Sequence, residues 1–144
     1  MADRKASANW EGDLFEGNGT VSTGTTDLFT DAPITWAART EDAGGKTSPE
    51  ELLAAAHAAC FCMALSNELA SRGNPPARLH ADAVCTFKPG EGVTTMRLSV
   101  TAEVPGADEA AFREALEAAE GSCPVSNALR NNVDIQVEAD LASG

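Results

Sequence analysis

Cysteine offers the most chemistry in this sequence, and it occurs at positions 60, 62, 85 and 123. Residues 1–6 are polar and lack the apolar core of a signal peptide, so we expect a cytoplasmic protein. In that compartment cysteines serve as free thiols, metal ligands or redox pairs more often than as structural disulfides. A reactive thiol or a metal site is therefore expected in preference to a disulfide framework.

Cys123 is followed by Pro124, a residue that favours the first position of a helix. The residue before a proline avoids α conformation, which places Cys123 at or next to a helix N-cap. Unpaired N–H groups and the positive end of the helix dipole favour a thiolate there. The local sequence is explained equally well if Cys123 is an ordinary, unreactive cysteine beside a turn.

Cys60 lies three residues after His57, and residues with this spacing share one face of a helix. The two side chains could form a thiol–base pair or supply two ligands to a metal. A small core cysteine and a hydrogen-bonded core histidine explain the same residues, and the local sequence favours that explanation. Cys62 is rotated by about 200° from Cys60 on a helix and cannot share its site. Cys85 lies in a predicted strand, where inert packing is expected.

The net charge of −12 sets a condition on any reactive thiol, because a thiolate is unfavourable in a negative field. An active cysteine here needs a cation nearby. Arg39, which ends the apolar segment Ile34–Ala38, and Glu50, in the first turn of a predicted helix, are the nearest candidates. Judged from the sequence only, each residue also has an ordinary structural explanation. Arg39 could simply be a solvent-exposed residue at a strand end, and the charge of Glu50 could simply complement the dipole at the start of a helix. The 10 basic against 22 acidic residues also argue against nucleic-acid and anionic-membrane binding.

The segment from Ser48 to Gly73 predicts one long helix over residues 49–72. Ser48 and Glu51 match a capping box, Pro49 suits the first helical position, and Gly73 suits the end. The middle of the segment is apolar on nearly every side, so we expect the helix, about 36 Å long, to be buried. One small domain cannot easily cover such a helix, which favours a partner subunit.

The 144 residues are expected to form a single domain, 1–144, of class α+β. Strands are predicted over residues 6–40, and strands with helices over residues 78–141. The apolar run 52–65 is too short for a membrane span, so no membrane association is expected. Outside the central helix, the predicted strands are Ser7–Trp10, Ile34–Arg39, Leu79–Lys88, Thr94–Val104 and Val133–Leu141. Two hairpins are predicted, a short one that joins Asp13–Glu16 to Thr20–Thr23 and a long one that joins Leu79–Lys88 to Thr94–Val104 through residues 89–92. The predicted helices are Asp108–Glu120 and Pro124–Arg130.

Two runs in this sequence have the form of known motifs: residues 48–61, SPEELLAAAHAACF, and residues 121–126, GSCPVS. The first resembles the helix motif NPEEL-x-x-AAHAACF, and the second the motif GCPVS, of the OsmC/Ohr family of hydroperoxide reductases. Residues 10–13 and 19–22 resemble the N-terminal strands of the OsmC branch. The resemblance spans most of the chain, and its two motifs occur in the family's order.

The resemblance implies a thiol-dependent peroxidase that reduces organic hydroperoxides to alcohols, and hydrogen peroxide less efficiently, without a metal or bound organic cofactor. Cys60 would be the peroxidatic cysteine, and Cys123 the resolving cysteine that closes an intramolecular Cys60–Cys123 disulfide. The reductant would be a thiol, expected on a dihydrolipoyl protein. The implied fold wraps antiparallel β-sheets around the long buried helix in an intertwined homodimer.

The position of the arginine assigns the chain to the OsmC branch. The Ohr branch takes its catalytic arginine from the early glycine-rich segment, but no arginine lies between Lys5 and Arg39 here. Arg39 aligns with the arginine of the OsmC branch and would stabilise the Cys60 thiolate. Glu50 would hold Arg39 in a bidentate ion pair.

Glu50 and Cys60 are ten residues apart, about 15 Å along one helix, and cannot easily serve one site from the same chain. Two antiparallel copies of the helix that cross near Ala54–Ala56 would bring Glu50 of one chain beside Cys60 of the other. We therefore predict an obligate two-fold dimer with two active sites at its interface. Two alternatives stay open: a non-catalytic protein of the same fold that binds an apolar ligand, and a metal site built from His57, Cys60 and Cys123.

Overall fold

The computed structural model describes residues 1–142, and the chain forms two compact units, Met1–Leu52 and Leu53–Gly144. Each unit contains one three-stranded sheet. A long helix begins near the end of the first unit and supplies the core of the second. The α+β class with a central helix is confirmed, while a single domain over 1–144 stays a prediction.

The sheet of the first unit is antiparallel and contains β1 (Ala6–Glu11), β2 (Asn18–Thr23) and β3 (Ala32–Ile34) in that order. The hairpin predicted between 13–16 and 20–23 is wrong, because β2 pairs with β1. The Asp13 carboxylate accepts a hydrogen bond from the Glu16 N–H at 2.7 Å, which folds these residues into a turn instead of a strand.

The predicted strand Ile34–Arg39 is also wrong over most of its length. The chain turns after Ile34 and forms a short helix, α1 (Trp36–Thr40), with Arg39 in its last turn. The Thr35 hydroxyl oxygen caps this helix by accepting a hydrogen bond from the Ala38 N–H at 3.1 Å. The region 6–40 therefore holds three strands and one helix.

The central helix, α2 (Pro49–Ser71), ends within one residue of its predicted bound, and Gly73 follows it with a φ of +83°. Only half of the predicted capping box forms. The Ser48 hydroxyl oxygen accepts from the Glu51 N–H at 3.1 Å, but the Glu51 carboxylate accepts from the Thr47 hydroxyl at 2.6 Å. The cap nevertheless fixes the start of the helix at Pro49.

One face of α2 is buried in the single chain, and the opposite face is not. The stripe His57, Phe61, Leu65 and Leu69 is buried. Ala55, Ala56, Ala59 and Met63 lie on the other side and are exposed, with Met63 at 69%. One chain therefore does not bury the helix on every side, and cover of the exposed face by a partner subunit stays a prediction.

Length and composition alone would also suit α2 to a membrane span, since it has 23 residues and a mean hydropathy of 1.4 over an 18-residue window. The apolar run 52–65 is shorter than a span, but the helix that contains it is not. One such helix is weak evidence, because the core helix of a water-soluble protein meets the same criterion.

The sheet of the second unit has the order β4 (Arg78–Lys88), β5 (Gly92–Glu103), β6 (Asp134–Leu141). The predicted hairpin of β4 and β5 is confirmed, and it is antiparallel. Strand β6 runs parallel to β5, so the expectation of purely antiparallel sheets is wrong. Two helices lie between β5 and β6 in the chain and provide the crossover that a parallel pair requires.

These helices are α3 (Glu109–Ser122) and α4 (Pro124–Leu129), both within one or two residues of their predicted bounds. The Asp108 carboxylate caps α3 by accepting from the Ala111 N–H at 2.8 Å. The core of the unit is formed by the buried stripe of α2, the inward face of β5 and the apolar side of α3, and it includes Cys123.

Candidate functional site

The sulfur atoms of Cys60 and Cys123 lie 3.3 Å apart in the second unit. Cys60 is in the middle of α2 and is partly accessible, whereas Cys123 is fully buried. A disulfide needs a sulfur–sulfur distance of about 2.0 Å, so a small shift of the side chains would join them. The structure thus brings together two thiols that are 63 residues apart in the chain.

Cys123 is held at the junction of two helices. Its backbone N–H donates to Ala119 O at 2.9 Å at the end of α3, and its carbonyl oxygen accepts from the Asn127 N–H at 3.0 Å at the start of α4. Its extended backbone, with φ −66° and ψ 115°, and Pro124 at the next position are those predicted for an N-cap. The backbone of Cys123 is therefore fixed by hydrogen bonds on both sides.

The two thiols titrate unequally. Burial raises the pKa of Cys123, but hydrogen bonds from the Ser126 side chain, the Ser126 and Val125 N–H groups and the Cys60 thiol outweigh it, and the pKa is lowered. Burial raises the pKa of Cys60, the Val125 N–H lowers it, and the adjacent Cys123 raises it further, so the pKa is raised. Burial and the neighbouring sulfur therefore oppose a negative charge on Cys60 within this unit.

His57 and Ser126 extend the site behind Cys123. The Nε2 atom of His57 lies 2.7 Å from Ser126 Oγ, and both residues are buried. The Nδ1 atom of His57 is buried without a hydrogen-bond partner among the described residues. Burial lowers the pKa of His57, so the imidazole is neutral near pH 7.

Sequence reasoning missed Ser126 and considered Cys60 and Cys123 as the possible partners of His57, whereas the structure pairs His57 with Ser126. Ser126 lies three residues after Cys123 on a helix, and His57 lies three residues before Cys60, so both share a face with a candidate cysteine. That shared spacing was the available signal. The contact between α2 and α4, over 69 residues of sequence, could be seen only in the fold.

The metal alternative finds no support in the described residues 1–142, where no three His, Cys, Asp or Glu side chains are placed to hold an ion. The proposed ligand His57 directs its Nε2 at Ser126 instead. Cys62 faces away from Cys60 into a groove with Ala77 and Leu79, and burial raises its pKa.

Arg39 and Glu50 form an ion pair in the first unit. Arg39 Nε donates to both carboxylate oxygens at 3.0 and 3.1 Å, and Nη2 donates to Oε1 at 2.7 Å. The Glu50 side chain is 8% exposed and that of Arg39 is 29% exposed. The fork geometry holds the guanidinium plane, with its Cζ 5.9 Å from the ring centroid of Trp36.

An apolar pocket of about 270 Å³ opens beside this ion pair. It lies entirely within the first unit. Trp36 forms one wall and packs edge-to-face on Phe15 at 5.9 Å. The residues lining the pocket are Trp10, Leu14, Ile34, Thr35, Trp36, Arg39 and Pro49.

The four predicted site residues thus form two pairs, one in each unit. Cys60 and Cys123 meet in the second unit, and Arg39 and Glu50 meet in the first. Each pair has the internal geometry expected of it. The joint use of both pairs in one site belongs to the proposal below.

Comparison with known proteins identifies relatives along nearly the whole chain. The profile of the family described as OsmC-like protein matches residues 41–138. The peroxiredoxin OsmC of Escherichia coli is 36% identical over 94% of this chain and 95% of its own length. An organic hydroperoxide resistance protein of Xanthomonas axonopodis is 32% identical over 76% of this chain and 78% of its own.

A solved structure shares the fold as well. The organic hydroperoxide resistance protein OsmC of Legionella pneumophila superposes with a TM-score of 0.69 at 25% identity, over 97% of this chain and 99% of that one. With a family profile over most of the chain and a curated relative at 36% identity, this chain belongs to the family of OsmC-like proteins.

Proposed function

We propose that this protein is a thiol-dependent peroxidase that reduces organic hydroperoxides to alcohols, and hydrogen peroxide less efficiently. The observation that carries the proposal is the 3.3 Å contact between a partly exposed thiol, Cys60, and a buried one, Cys123. An accessible sulfur can meet a peroxide, and a buried neighbour can capture the oxidised product. Relatives named peroxiredoxin and hydroperoxide resistance protein agree with this reading.

In the first step the Cys60 thiolate attacks the terminal oxygen of the hydroperoxide. A sulfur–oxygen bond forms while the oxygen–oxygen bond breaks, and the alkoxide leaves and takes up a proton to become the alcohol. Cys60 is oxidised to a sulfenic acid. Cys123 cannot take this role because its sulfur is fully buried.

In the second step the Cys123 sulfur attacks the sulfur of the Cys60 sulfenic acid. The Cys60–Cys123 disulfide forms, the sulfur–oxygen bond breaks, and the hydroxide leaves as water with the proton that Cys123 gives up. The 3.3 Å separation supports direct attack without a large rearrangement. Rapid closure also protects Cys60 from over-oxidation.

An external dithiol, which we propose to be the dihydrolipoyl group of a partner protein, restores the enzyme. Its first thiolate attacks Cys60, the accessible sulfur of the disulfide, and Cys123 leaves as the thiolate. Its second thiol then displaces Cys60 from the mixed disulfide. The enzyme returns to the dithiol form and the reductant departs as a cyclic disulfide.

Arg39 has the role of stabilising the Cys60 thiolate before peroxide arrives. Within the second unit burial and the adjacent Cys123 raise the pKa of Cys60, which disfavours the thiolate that the first step needs. A guanidinium beside Cys60 would lower that pKa by favouring the charged form. The ion pair with Glu50 fixes the plane of that guanidinium.

We propose that the guanidinium comes from a second copy of the chain in a two-fold homodimer. The helical rise separates Glu50 from Cys60 by about 15 Å along α2, whereas Glu50 of the partner subunit can approach Cys60 if the helices cross. The exposed apolar face of α2, which includes Ala55, Ala59 and Met63, supports such a crossing. Its small side chains allow close approach.

The sheet of the first unit supports a partner for the same reason. All six residues of β1 are exposed, and the only buried residues described between 1 and 52 are Ala38 and Glu50. A three-stranded sheet needs an apolar cover to be stable. A second copy would provide that cover.

The apolar pocket beside Arg39 supports organic hydroperoxides over hydrogen peroxide as substrates. It offers aliphatic and aromatic walls to an alkyl group and a cation near the position where the peroxide would react. The same pocket supports the alternative of a non-catalytic protein that binds an apolar ligand. We place either activity in the cytoplasm, where thiols stay reduced.

Mass spectrometry after one equivalent of an alkyl hydroperoxide tests the proposal. The expected product is a disulfide between Cys60 and Cys123, with one equivalent of alcohol released. A stable sulfenic acid on Cys60 would keep the peroxidase and remove the resolving role of Cys123. Unchanged thiols would leave only the ligand-binding alternative, in which both cysteines are dispensable.

A further inference from the structure

The buried histidine behind the cysteine pair has no task in the reaction described above. His57 is neutral, lies in the core and directs Nε2 at Ser126 Oγ, while Nδ1 has no hydrogen-bond partner among the described residues. A buried polar atom without a partner is costly, so its arrangement is informative.

The unpaired Nδ1 atom selects the tautomer of His57. A buried N–H without an acceptor is rarer and costlier than an acceptor without a donor. The proton therefore belongs on Nε2, and Nδ1 carries the lone pair. His57 Nε2–H then donates to Ser126 Oγ at 2.7 Å.

In this tautomer the Ser126 oxygen accepts a hydrogen bond from His57, so the Ser126 hydroxyl proton is free to point at the Cys123 sulfur. Ser126 follows Cys123 by three residues in α4, and its side chain stabilises the charged form of that thiol and so lowers its pKa. The Cys123 and Cys60 sulfurs share a hydrogen bond at 3.3 Å, in which Cys123 is the donor when Cys60 is the thiolate. In that state all donors in the series point the same way, from His57 toward Cys60.

We propose that His57 and Ser126 are positioning residues that aim the Cys123 thiol at Cys60 and hold the charge that Cys123 carries when the disulfide opens. The inference rests on the proposed peroxidase function and extends it to the control of the second cysteine. Neither residue touches the peroxide. Both act through Cys123.

The donor series explains how one site can use two cysteines in turn. While Cys60 is a thiolate, the Cys123 S–H points at it and the Ser126 hydroxyl points at Cys123. Once Cys60 is a sulfenic acid, Cys123 attacks and its proton leaves with the hydroxide as water. When a reductant attacks Cys60, Cys123 departs as a thiolate that the Ser126 hydroxyl stabilises.

The first test measures the Cys123 thiolate without any peroxide chemistry. In a chain in which Cys60, Cys62 and Cys85 are replaced by Ser, Ala and Ala, the absorbance of the thiolate near 240 nm reports the titration of Cys123. Ser126→Ala is expected to raise this pKa by at least about one unit, which corresponds to a tenfold loss of thiolate. Ser126→Thr, which keeps the hydroxyl, is expected to retain the lower value.

The variants of His57 separate its part from that of Ser126. His57→Leu removes the donor at similar bulk and is expected to raise the pKa of Cys123 by less than Ser126→Ala does. His57→Gln keeps an N–H donor and is expected to restore most of the original value. A control, Ser122→Ala, removes a hydroxyl next to Cys123 that bonds to Glu68, and is expected to change nothing.

The second test follows one turnover with an alkyl hydroperoxide by rapid mixing. Ser126→Ala is expected to slow the unimolecular closure of the disulfide about 10- to 100-fold, while the bimolecular formation of the sulfenic acid changes much less. An unchanged pKa of Cys123 in Ser126→Ala overturns the inference. If Ser126→Ala shifts the pKa of Cys123 but His57→Leu does not, the inference holds for Ser126 and is overturned for His57. Because the first test needs no turnover, a protein without peroxidase activity would still show the shift, and the two failures are distinguishable.

Discussion

The sulfur of the buried Cys123 lies 3.3 Å from the sulfur of Cys60, a residue that is only partly buried. This difference in exposure assigns an order to two thiols that composition alone treats alike. In the proposed reaction, peroxide and reductant arrive from solvent, so both are expected to react at Cys60. Cys123 is expected to act only on the oxidised form of its neighbour.

Replacement of each cysteine is expected to have a different result. Cys60→Ser should abolish hydroperoxide turnover with the fold retained, since no accessible nucleophile stays in the pair. Cys123→Ser should stop after one turnover, because the sulfenic acid on Cys60 has no resolving thiol. Trapping with a 1,3-diketone reagent and mass spectrometry distinguishes the two variants.

Cys85→Ser is the matched control, because Cys85 lies in β4 opposite Met96 and away from the pair. It is expected to keep full turnover. Loss of activity in Cys85→Ser equal to that in Cys60→Ser would contradict the assignment of the pair.

The ion pair of Arg39 and Glu50 is expected to matter for both stability and activity. Glu50→Gln keeps the shape of a buried side chain but removes the charge that Arg39 faces, and we expect a loss of about 1–3 kcal/mol in the free energy of unfolding. We expect kcat/KM to fall about 10- to 100-fold because the guanidinium is no longer held. Urea unfolding and peroxide kinetics measure the two effects.

A second ion pair provides the control for this variant. Glu109 and Arg113 form an exposed i,i+4 pair with a 2.8 Å contact. Glu109→Gln is expected to cost about 0.3–0.5 kcal/mol and to leave kcat/KM unchanged. Equal costs for the two substitutions would show that Glu50 has no special role in the fold.

The stability of the protein is expected to fall in mild acid because of His57. Burial lowers the pKa of His57 in the folded chain, whereas the unfolded chain has the ordinary value near 6.5. Below about pH 6.5 the unfolded state therefore binds a proton that the folded state does not, and the free energy of unfolding drops by up to about 1.4 kcal/mol per pH unit. The contribution of the neutral His57 to the free energy of unfolding is fully present above about pH 6.5.

Urea midpoints between about pH 7 and pH 5 measure how the free energy of unfolding changes with pH in the wild type and in two variants. His57→Gln should remove the part of this pH dependence that is due to His57. His80→Gln replaces an exposed histidine and should retain that part. Identical slopes in the wild type and His57→Gln would contradict a neutral buried imidazole.

The sequence predicted best those elements whose starts and ends are marked by capping or turn residues. Helix α2 has Ser48 and Pro49 at its start and Gly73 at its end, and its bounds agree to within one residue. The hairpin of β4 and β5 is marked by the turn residues 89–92. By contrast, the run 34–39 is too short to show a period, and the Thr35 cap decided in favour of a helix.

Features that depend on packing between distant segments could not be predicted from one sequence. An alternating strand such as β6 shows which residues face inward, but not whether its neighbour is parallel. The cysteine pair and the ion pair came from motifs, and their geometry agrees with them. The contact of His57 with Ser126 joins two helices and has no local signature.

The apolar pocket is expected to determine which peroxides react well. Leu14→Ser places a polar group in its wall and should raise KM for a bulky alkyl hydroperoxide several-fold more than for hydrogen peroxide. Leu28→Ser makes the same change on an exposed loop, where the leucine is 80% exposed, and should affect neither substrate. Equal effects of Leu14→Ser on both peroxides would place the alkyl group elsewhere.

Mixing of two inactive variants tests whether each active site uses two chains. Cys60→Ser lacks the nucleophile, and Arg39→Ala lacks the cation, so each alone is expected to be inactive or nearly so. In a mixed two-fold dimer, one site would combine the intact Cys60 of one chain with the intact Arg39 of the other. Random mixing after unfolding and refolding should therefore restore about one quarter of wild-type activity.

The size of the particle completes this test. Light scattering is expected to give about 30 kDa, twice the chain mass of 14.9 kDa, for the wild type and the mixture. Ala59→Lys, on the exposed apolar face of α2, should yield inactive monomers, whereas Ala110→Lys on the exposed side of α3 should stay dimeric and active. Absence of rescue in a mixture that is fully dimeric would assign Arg39 and Cys60 of each site to the same chain, and a fully active monomer would end the dimer proposal.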